Sequence, residues 1–287
     1  MAQVLQLQTL FDSELLAIRH AIARPSPIQR DDVDRATADV LLLPIAGVFA
    51  KHDGPTHHFI ANPNHALFFG CGKPYRITFP DGIGDESLVF EFSKEALVNL
   101  LAETVGVEEL YSPHLHSHCL LSPATVLNRE LLWRHLTHGA ANALAIEEIS
   151  VSMLSTSLQA AYKECGGNGR AKHALTMSRR RQQVETVKEM ISLYPTQEWT
   201  LGALARQANT SPYHLARVFR EEVGVPVHRY LIRTRLGKAL EGMRAADVDL
   251  TDIALDAGFA SHSHFTFNFR SLFGIPPSQL RNRTIVS

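Results

Sequence analysis

The sequence has few cysteines and no long apolar run. Cys71, Cys119 and Cys165 are widely spaced and form no C-x-x-C pair, a pattern that is typical of a reducing compartment, argues against a zinc site and predicts ordinary buried thiols. No stretch reaches the roughly 18 consecutive apolar residues of a membrane span. The N-terminus lacks a basic segment followed by an apolar core and a cleavage site. We therefore expect a cytoplasmic protein with no membrane association.

A strong net charge and common enzyme motifs are also absent. The chain carries 28 basic and 29 acidic side chains over 287 residues, enough length for two domains with separate cores. It contains no nucleophile elbow, glycine-rich phosphate loop or metalloprotease helix. The charge divides by sign, because residues 1–177 hold 13 basic against 19 acidic side chains and residues 178–287 hold 15 against 10. The basic part favours a polyanionic partner, although such an excess also suits proteins that bind none.

A sequence repeat at an offset of 50 residues marks the C-terminal part. Both copies read S-x-x-H-[LF]-x-x-x-F-R-x-x-x-G-[VI]-P, starting at Ser211 and at Ser261. Each copy predicts one helix. Serine caps its N-terminus, apolar side chains four residues apart form a buried stripe, and glycine followed by proline ends it.

A shorter helical segment precedes each of these helices, over 201–208 and 250–257. The short connections predict two helix-turn-helix units, at about 201–222 and 250–273. The alternative is an all-helical bundle whose paired segments merely pack together. Two matches in one register argue against that alternative.

Small residues and turn residues lie where such units need them. Ala205 and Ala254 allow close approach of the paired helices, Gly258 suits a positive φ in the second turn, and Asn209 tolerates it in the first. The stretch 226–244 has helical periodicity and predicts a long helix that joins the units rigidly.

The C-terminal motifs resemble those of the AraC/XylS-type transcription regulators over about 100 residues. In the first unit the matching residues are L-A-R-Q-A at 204–208 and S-P-Y-H-L-A-R-V-F-R at 211–220. In the second they are D-I-A-L-D-A-G-F at 252–259 together with Ser261, His264, Phe265, Phe269, Arg270, Phe273, Gly274, Pro277 and Arg281. The resemblance implies that the second helix of each unit enters the major groove of double-stranded DNA, at two adjacent sub-boxes about one helical turn apart.

Periodicity assigns a core face and an exposed face to each of these second helices. Leu215, Val218 and Phe219 are expected in the core of the first. The predicted DNA-contacting residues of the first helix are Tyr213, Ala216, Arg217 and Arg220. Those of the second are His262, Ser263, Thr266, Phe267 and Arg270.

Their chemistry sets the expected roles. Arg217 either reads a guanine edge or grips a phosphate, and Tyr213 and Ala216 offer apolar contacts to thymine methyl groups. Arg220 is assigned to phosphate, with a solvated surface arginine as the alternative, and Arg270 is assigned to phosphate by analogy with it.

One residue departs from the family. The family usually has arginine where this chain has Phe267, so we expect the first unit to dominate specificity. Phe267 either packs on a thymine methyl group or tucks inward.

Two features precede the DNA-binding domain. The glycine-rich segment 166–169 predicts a flexible linker, which we place at 166–180, between a domain over 1–165 and a DNA-binding domain over 181–284. The basic run 179–181 either touches phosphate from this tether or is a solvated part of it.

The N-terminal part has the pattern of a small β-rich unit followed by helices. Four apolar runs between turn residues lie within 40–92, namely VLLLPIAGVFA, HALFFG, PYRITF and SLVFEF. Helices are predicted over 123–137 and 143–163. The second carries one apolar stripe formed by Ile146, Ile149, Met153, Leu158 and Ala161. That stripe either pairs two subunits or packs on its own β-rich unit. Periodicity shows that one face of the helix is apolar, but it does not show which surface covers that face.

The predicted fold class is therefore α+β, with a small β-rich, cupin-like N-terminal domain with helices and then an all-α domain of two helix-turn-helix units joined by a long helix. The cupin-like assignment comes from the resemblance, since regulators of this family often place such a barrel and a helical dimer contact before the DNA-binding domain. The barrel can bind a small effector. Candidate pocket residues near strand ends are Phe68, Phe69, Tyr75 and Arg76.

Histidines raise the alternative of a metal-dependent cupin enzyme. They occur in two groups, His52, His57, His58 and His65, and His114, His116 and His118. Such an enzyme needs an H-x-H pair and a later carboxylate. Adjacent histidines instead point to opposite faces of a strand, and the second group follows a proline and is expected in a loop. We predict no catalytic residue, no cofactor and no metal site.

The leading interpretation is a sequence-specific DNA-binding transcription regulator, responsive to an effector through its N-terminal domain. One alternative is a cupin-like small-molecule-binding or metallo-enzymatic domain fused to a DNA-binding module. Another is a module whose helices meet RNA polymerase or a co-regulator more than DNA. RNA polymerase, a small effector and a second copy of the chain are the further partners under consideration.

Overall fold

The computed structural model describes residues 3–25, 33–54, 58–105, 117–138, 142–165, 174–244 and 248–282. Its strands are β1 (Gln3–Asp12), β2 (Leu16–Pro25), β3 (Asp34–Arg35), β4 (Val40–Gly47), β5 (Phe49–His52), β6 (His58–Ala61), β7 (His65–Phe69), β8 (Pro74–Thr78), β9 (Asp85–Phe92) and β10 (His118–Leu120). Its helices are α1 (Lys94–Val105), α2 (Pro123–His138), α3 (Ala143–Cys165), α4 (Ala174–Leu193), α5 (Leu201–Gln207), α6 (Pro212–Val223), α7 (Val227–Gly242), α8 (Leu250–Asp256), α9 (His262–Phe273) and α10 (Pro277–Asn282).

The described strands form two antiparallel sheets. The larger sheet has the order β1-β2-β9-β4-β7-β10 and the smaller has the order β3-β8-β5-β6. Alternation along β4 buries Leu41, Leu43 and Ile45, as expected for a strand whose one face meets a core. One apolar cluster contains side chains of both sheets, including Ala23 and Leu67 from the larger sheet and Phe49 and Ile77 from the smaller sheet. The two sheets therefore enclose a common interior.

The largest apolar core joins the β-rich part to the helical part. It includes Leu43 of β4, Leu132 of α2, Leu158 of α3, Leu236 of α7 and Phe265 of α9. The C-terminal helices are thus packed on the N-terminal part through a continuous apolar surface, and burial of such surface contributes about 25 cal/mol per Å².

The predicted fold class is confirmed, since a β-rich N-terminal part with helices precedes an all-helical C-terminal part. The four apolar runs fall on β4 with β5, β7, β8 and β9, and the two predicted helices are α2 and α3. Further elements that the sequence analysis did not predict are β1, β2, β3, β6, β10, α1, α4 and α10. Residues 174–180, at the end of the expected linker, are helical, and 166–173 lie outside the described residues.

Two details of the sequence prediction are wrong. Cys71 is exposed rather than buried, because it lies in the turn between β7 and β8, where its thiol donates to the backbone oxygen of Thr37 at 3.3 Å. His118, expected in a loop, begins β10 and pairs with Leu67 of β7. Cys119 is buried as predicted, and the Cys165 side chain lies outside the described residues.

The apolar stripe of α3 packs within its own chain. Met153, Leu158 and Ala161 are buried in the largest core, and the Cys119 thiol donates to the backbone oxygen of Ser157 at 3.3 Å. The interpretation in which the stripe packs on its own β-rich unit therefore holds for these residues. Among the described helices, none is long and apolar enough to cross a membrane.

Candidate DNA-binding interface

The first helix-turn-helix unit consists of α5 and α6. The Thr200 hydroxyl caps α5 by accepting the backbone N–H of Ala203 at 3.1 Å, and the Ser211 hydroxyl caps α6 by accepting that of His214 at 3.2 Å. Asn209 has φ 51° in the turn, a left-handed conformation that asparagine tolerates better than most residues. Gly224 ends α6 with φ 78°. The predicted serine cap, turn and helix end are present, and the Thr200 cap is an additional feature.

Helix α6 has one buried face and one exposed face. Leu215, Val218 and Phe219 are at most 1% exposed, which confirms the predicted core face. The side chains of Tyr213, Ala216, Arg217 and Arg220 are all exposed. Tyr213 is 90% exposed, an unusual position for a large aromatic residue. An exposed phenol and two guanidinium groups thus share the face that the core leaves open.

The second unit consists of α8 and α9 and repeats this construction. The Asp249 carboxylate accepts the backbone N–H of Thr251 at 2.6 Å, and the Ser261 hydroxyl accepts that of His264 at 3.1 Å. The hydrogen bond from Thr251 lowers the pKa of Asp249. Gly258 has φ 88°, as predicted, and a Cβ there would lie 2.7 Å from the Cα of Thr196. The second turn therefore requires glycine for both its conformation and its packing.

The exposed face of α9 carries most of the residues that were predicted for it. His262, Ser263, Phe267 and Arg270 are exposed, and Thr266 is half-buried. The hydroxyl oxygen of Thr266 is buried and has no hydrogen-bond partner among the described residues. Phe267 is 72% exposed, so it does not tuck inward. The face is less basic than that of α6, because Arg270 is its one guanidinium group.

Helix α7 joins the two units and is held by the N-terminal part. Asn62, in the turn after β6, donates from its amide to the Tyr230 hydroxyl at 3.0 Å and to the Ser192 hydroxyl at 2.7 Å. Burial raises the pKa of Tyr230 above its ordinary value, so the phenol stays protonated near neutral pH. Arg233 donates to the backbone oxygen of Leu121. These contacts place one side of the connecting helix against the β-rich part.

A buried charge cluster holds the end of α7. The Glu130 carboxylate of α2 accepts hydrogen bonds from Arg129 at 2.8 Å and from Arg244 at 2.8 and 2.9 Å. Arg244 also donates to the backbone oxygen of Ile45 at 2.9 Å. Buried ions require such pairing, since isolated burial of a charge is strongly unfavourable. Sequence reasoning missed this cluster, because nothing local to Arg244 indicates a partner 114 residues away.

The four candidate pocket residues do not share one environment. Phe69 and Tyr75 make an edge-to-face contact with ring centroids 4.7 Å apart and belong to the interior between the sheets. Phe68 packs against the largest core instead. Arg76 pairs with His52 across β8 and β5. A ligand pocket formed by all four stays a prediction.

The histidines do not converge among the described residues. The His52 and His58 rings lie 5.7 Å apart on paired strands, and the Nδ1 atom of the buried His65 accepts the backbone N–H of Asn62 at 3.2 Å. Burial lowers the pKa of His52 to about 4, with further contributions from Arg76 and His58. Within the part of the chain that is described, no three His, Cys, Asp or Glu side chains are placed to hold a metal ion. His57, His114 and His116 lie outside that part.

Comparison with known proteins identifies the C-terminal region. The family described as "Helix-turn-helix domain" matches residues 204–283. The HTH-type transcriptional activator AarP of Providencia stuartii is 34% identical over 86 residues, which cover 30% of this chain and 64% of AarP. The HTH-type transcriptional activator RhaS of Escherichia coli is 38% identical over 79 residues, which cover 28% of each chain.

A longer match extends into the N-terminal part. An AraC-like transcription regulator of Streptomyces lividans is 27% identical over 207 residues, which cover 70% of this chain and 65% of that protein. The structure of ToxT from Vibrio cholerae aligns with 93% of this chain and 98% of its own at 14% identity, with a TM-score of 0.38. This chain spans less than two thirds of the length of each of the three sequence relatives. Residues 204–283 of this chain form an AraC-type helix-turn-helix domain.

Proposed function

We propose that the protein is a sequence-specific DNA-binding transcription regulator. The observation that carries the proposal is the repeated construction of α6 and α9, each capped by serine, ended by a left-handed glycine and buried on one face only. A helix of this kind, preceded by a short helix and a tight turn, is the element that enters the major groove in helix-turn-helix proteins. Because the protein would act on DNA, the proposal includes a cytoplasmic location, and it assigns no catalytic role to the chain.

In this proposal the first unit carries most of the sequence recognition. Arg217 is the candidate for a bidentate contact to guanine, and Tyr213 and Ala216 are the candidates for thymine methyl groups. Arg217 lies 3.6 Å from Glu221, but both side chains are about half exposed. A surface pair of this kind contributes little, so Arg217 is available to DNA. Arg220 and Arg270 would hold phosphates.

The second unit would position the protein and read fewer bases. His262 and Ser263 offer exposed hydrogen-bonding groups, whereas Thr266 is half-buried with its hydroxyl oxygen covered. Phe267 supplies an exposed ring without charge. An aromatic side chain at this place can contact a thymine methyl group. The resulting operator has two sub-boxes about 10 base pairs apart, of which the first is the more strictly defined.

The N-terminal part would act on DNA binding through its contacts with α7. Asn62 bonds Tyr230 near the start of that helix, and Glu130 bonds Arg244 just after its end. A ligand that changes these contacts could alter how the two units meet the operator, provided that it binds the two arrangements with different affinity. A small effector, with Phe68, Phe69, Tyr75 and Arg76 as candidate contacts, a second copy of the chain and RNA polymerase are the partners that this proposal includes.

The test is selection of bound DNA from a random pool with the purified full chain, followed by a salt titration on the selected sequences. We expect two sub-boxes about one helical turn apart and an affinity that falls steeply with salt, because phosphate contacts release counterions. A single short box would restrict base recognition to the first unit. Failure to enrich any sequence, with the protein folded and monodisperse, would contradict the proposal.

A further inference from the structure

A cavity of about 280 Å³ lies beside the turn of the first helix-turn-helix unit, between α4 and the connection from α5 to α6. It is lined by one cation, four side-chain amides, one hydroxyl group and one methyl group, with no carboxylate among the described lining residues. These residues are Arg179, Gln182, Gln183, Thr186, Gln207, Ala208 and Asn209. The lining is therefore rich in hydrogen-bond donors and carries a positive charge.

The helical geometry of α4 separates Arg179 from its two arginine neighbours. Consecutive residues of an α-helix project about 100° apart. Arg181 lies 3.9 Å from the Glu222 carboxylate of α6. Burial raises the pKa of Glu222, and the charges of Arg181 and Arg180 partly offset this rise. Arg179 is also exposed, but it is the arginine of the run that lines the cavity. The basic run thus divides into two residues that face α6 and one that faces the cavity.

One amide of the cavity, that of Gln183, is held in place by the turn. Gln183 is buried and donates from its amide to the backbone oxygen of Asn209 at 3.5 Å, which ties α4 to the residue with positive φ. Side-chain amides offer N–H donors, and a guanidinium group offers several in one plane. This combination matches a phosphate group, whose oxygens accept hydrogen bonds and whose charge pairs with arginine.

The position of the cavity identifies the source of such a phosphate. Asn209 lies two residues before Ser211, the N-cap of α6. The cavity therefore adjoins the N-terminal end of α6, where the exposed face of that helix begins with Tyr213. We propose that the cavity receives a phosphate of the DNA backbone beside the sub-box that α6 reads, with Arg179 as its charge partner. This inference rests on the proposed function and adds a contact from α4, outside the two helix-turn-helix units.

The experiment measures the affinity of the full chain for its selected DNA over a range of salt concentrations. In Arg179→Ala the magnitude of the negative slope of log affinity against log salt decreases by about 0.9, because one phosphate contact is lost, while the preferred sequence does not change. Arg181→Ala is the matched control, since it removes the same charge from the same helix at a residue that does not line the cavity. Its slope equals that of the wild type. Gln182→Glu, which places a carboxylate at the cavity, weakens DNA binding, whereas Gln8→Glu on the exposed part of β1 does not.

The same measurements separate the other outcomes. An unchanged slope in Arg179→Ala, or an equal decrease in Arg181→Ala, overturns the assignment of the cavity. Calorimetry with inorganic phosphate distinguishes a site for a free anion, because saturable binding that Arg179→Ala abolishes, together with an unchanged DNA slope, would overturn the DNA assignment. If the wild type selects no DNA, the proposed function itself fails, and this result is distinct from selective DNA binding that is insensitive to Arg179.

Discussion

The Glu130 carboxylate and the Arg244 guanidinium are joined by hydrogen bonds of 2.8 and 2.9 Å between α2 and the residue that follows α7 by two positions. Arg129, which is fully buried, shares the same carboxylate. One acidic group thus pairs with two cations where the N-terminal part meets the connecting helix. Because α7 also carries Tyr230 against Asn62, both ends of the helix are fixed by the β-rich part.

Removal of the Glu130 charge should destabilise the protein strongly. Glu130→Gln leaves Arg129 buried without its ionic partner, and breaking such a pair costs about 3–5 kcal/mol. The measurement is the free energy of unfolding by denaturant at pH 7. The control is Glu148→Gln, on the exposed side of α3, which should change stability by less than about 0.5 kcal/mol.

The contribution of Glu130 to the free energy of unfolding should also depend on pH. Burial alone would raise the pKa of Glu130, but Arg244 and Arg129 outweigh it and hold the pKa below its usual value. The stabilisation is therefore present above the unfolded pKa of about 4.3 and is lost as pH falls through the lower folded value. The difference between wild type and Glu130→Gln should shrink in acid. An equal difference at pH 7 and pH 3 would show that the charge is not what stabilises the contact.

The C-terminal units could be predicted from the sequence because their signals are local. Ser211 and Ser261 cap helices three residues away, and Gly224, Gly258 and Gly274 have the positive φ that their positions indicate. Alternating burial along α6 follows from helical periodicity alone. The exposed orientation of Phe267 did not follow, since an apolar residue at the boundary of a stripe fits either face.

The N-terminal part and its contacts were less predictable because they depend on distant residues. Strand β9 pairs with both β2 and β4, and no local pattern specifies which strands become neighbours. Strand β1 carries Leu5 and Leu7 at 48% and 55% exposure, so its apolar residues do not mark a core. The ligand-pocket prediction had the same weakness, since Phe68 and Phe69 are adjacent in sequence and pack in different cores.

Asp85 should make stability decrease as pH rises. It is buried in β9, its carboxylate lies 2.6 Å from the Ser87 hydroxyl, and burial raises its pKa to about 7 despite Ser87 and Arg24. Because the pKa of Asp85 is higher in the folded protein than in the unfolded chain, its contribution to stability is fully present below the unfolded pKa of about 3.9. This contribution is lost as the pH rises through the folded pKa of about 7. The loss between pH 4 and pH 8 is on the order of 4 kcal/mol for this group.

Asp85→Asn tests this assignment by removing the titration. The variant should unfold at a higher denaturant concentration than the wild type at pH 8 and at a similar one at pH 4. Glu103→Gln, on the exposed side of α1, should keep the pH dependence of the wild type. If Asp85→Asn instead destabilises the protein equally at both pH values, the carboxylate is ionised in the folded state throughout this range.

Arg217 and Arg220 should differ in how their loss depends on DNA sequence. Arg217→Ala should cost about 1–3 kcal/mol of binding on the selected operator and less on unrelated DNA, because a base contact discriminates between sequences. Arg220→Ala should weaken both equally and reduce the salt slope by about 1. Fluorescence anisotropy with both DNAs measures these effects, with Arg35→Ala in β3 as the control that should change neither. A uniform loss in Arg217→Ala would reassign that residue to phosphate.

Phe267→Arg should strengthen DNA binding by the second unit. Phe267 is 72% exposed on α9, so the substitution should change the free energy of unfolding by less than about 0.5 kcal/mol. If α9 lies in the groove, the added guanidinium group reaches a phosphate, and the slope of log affinity against log salt becomes steeper by about 0.9. The measurement is the same salt titration on the selected operator.

Phe267→Gln separates charge from the loss of the aromatic ring. This variant is polar and neutral, so its salt slope should equal that of the wild type, whereas its affinity should fall if the ring contacts a thymine methyl group. An unchanged slope in Phe267→Arg would show that α9 does not approach the phosphates. In that case α6 would be the only one of the two repeated helices that engages DNA, although α9 has the same caps and the same buried face.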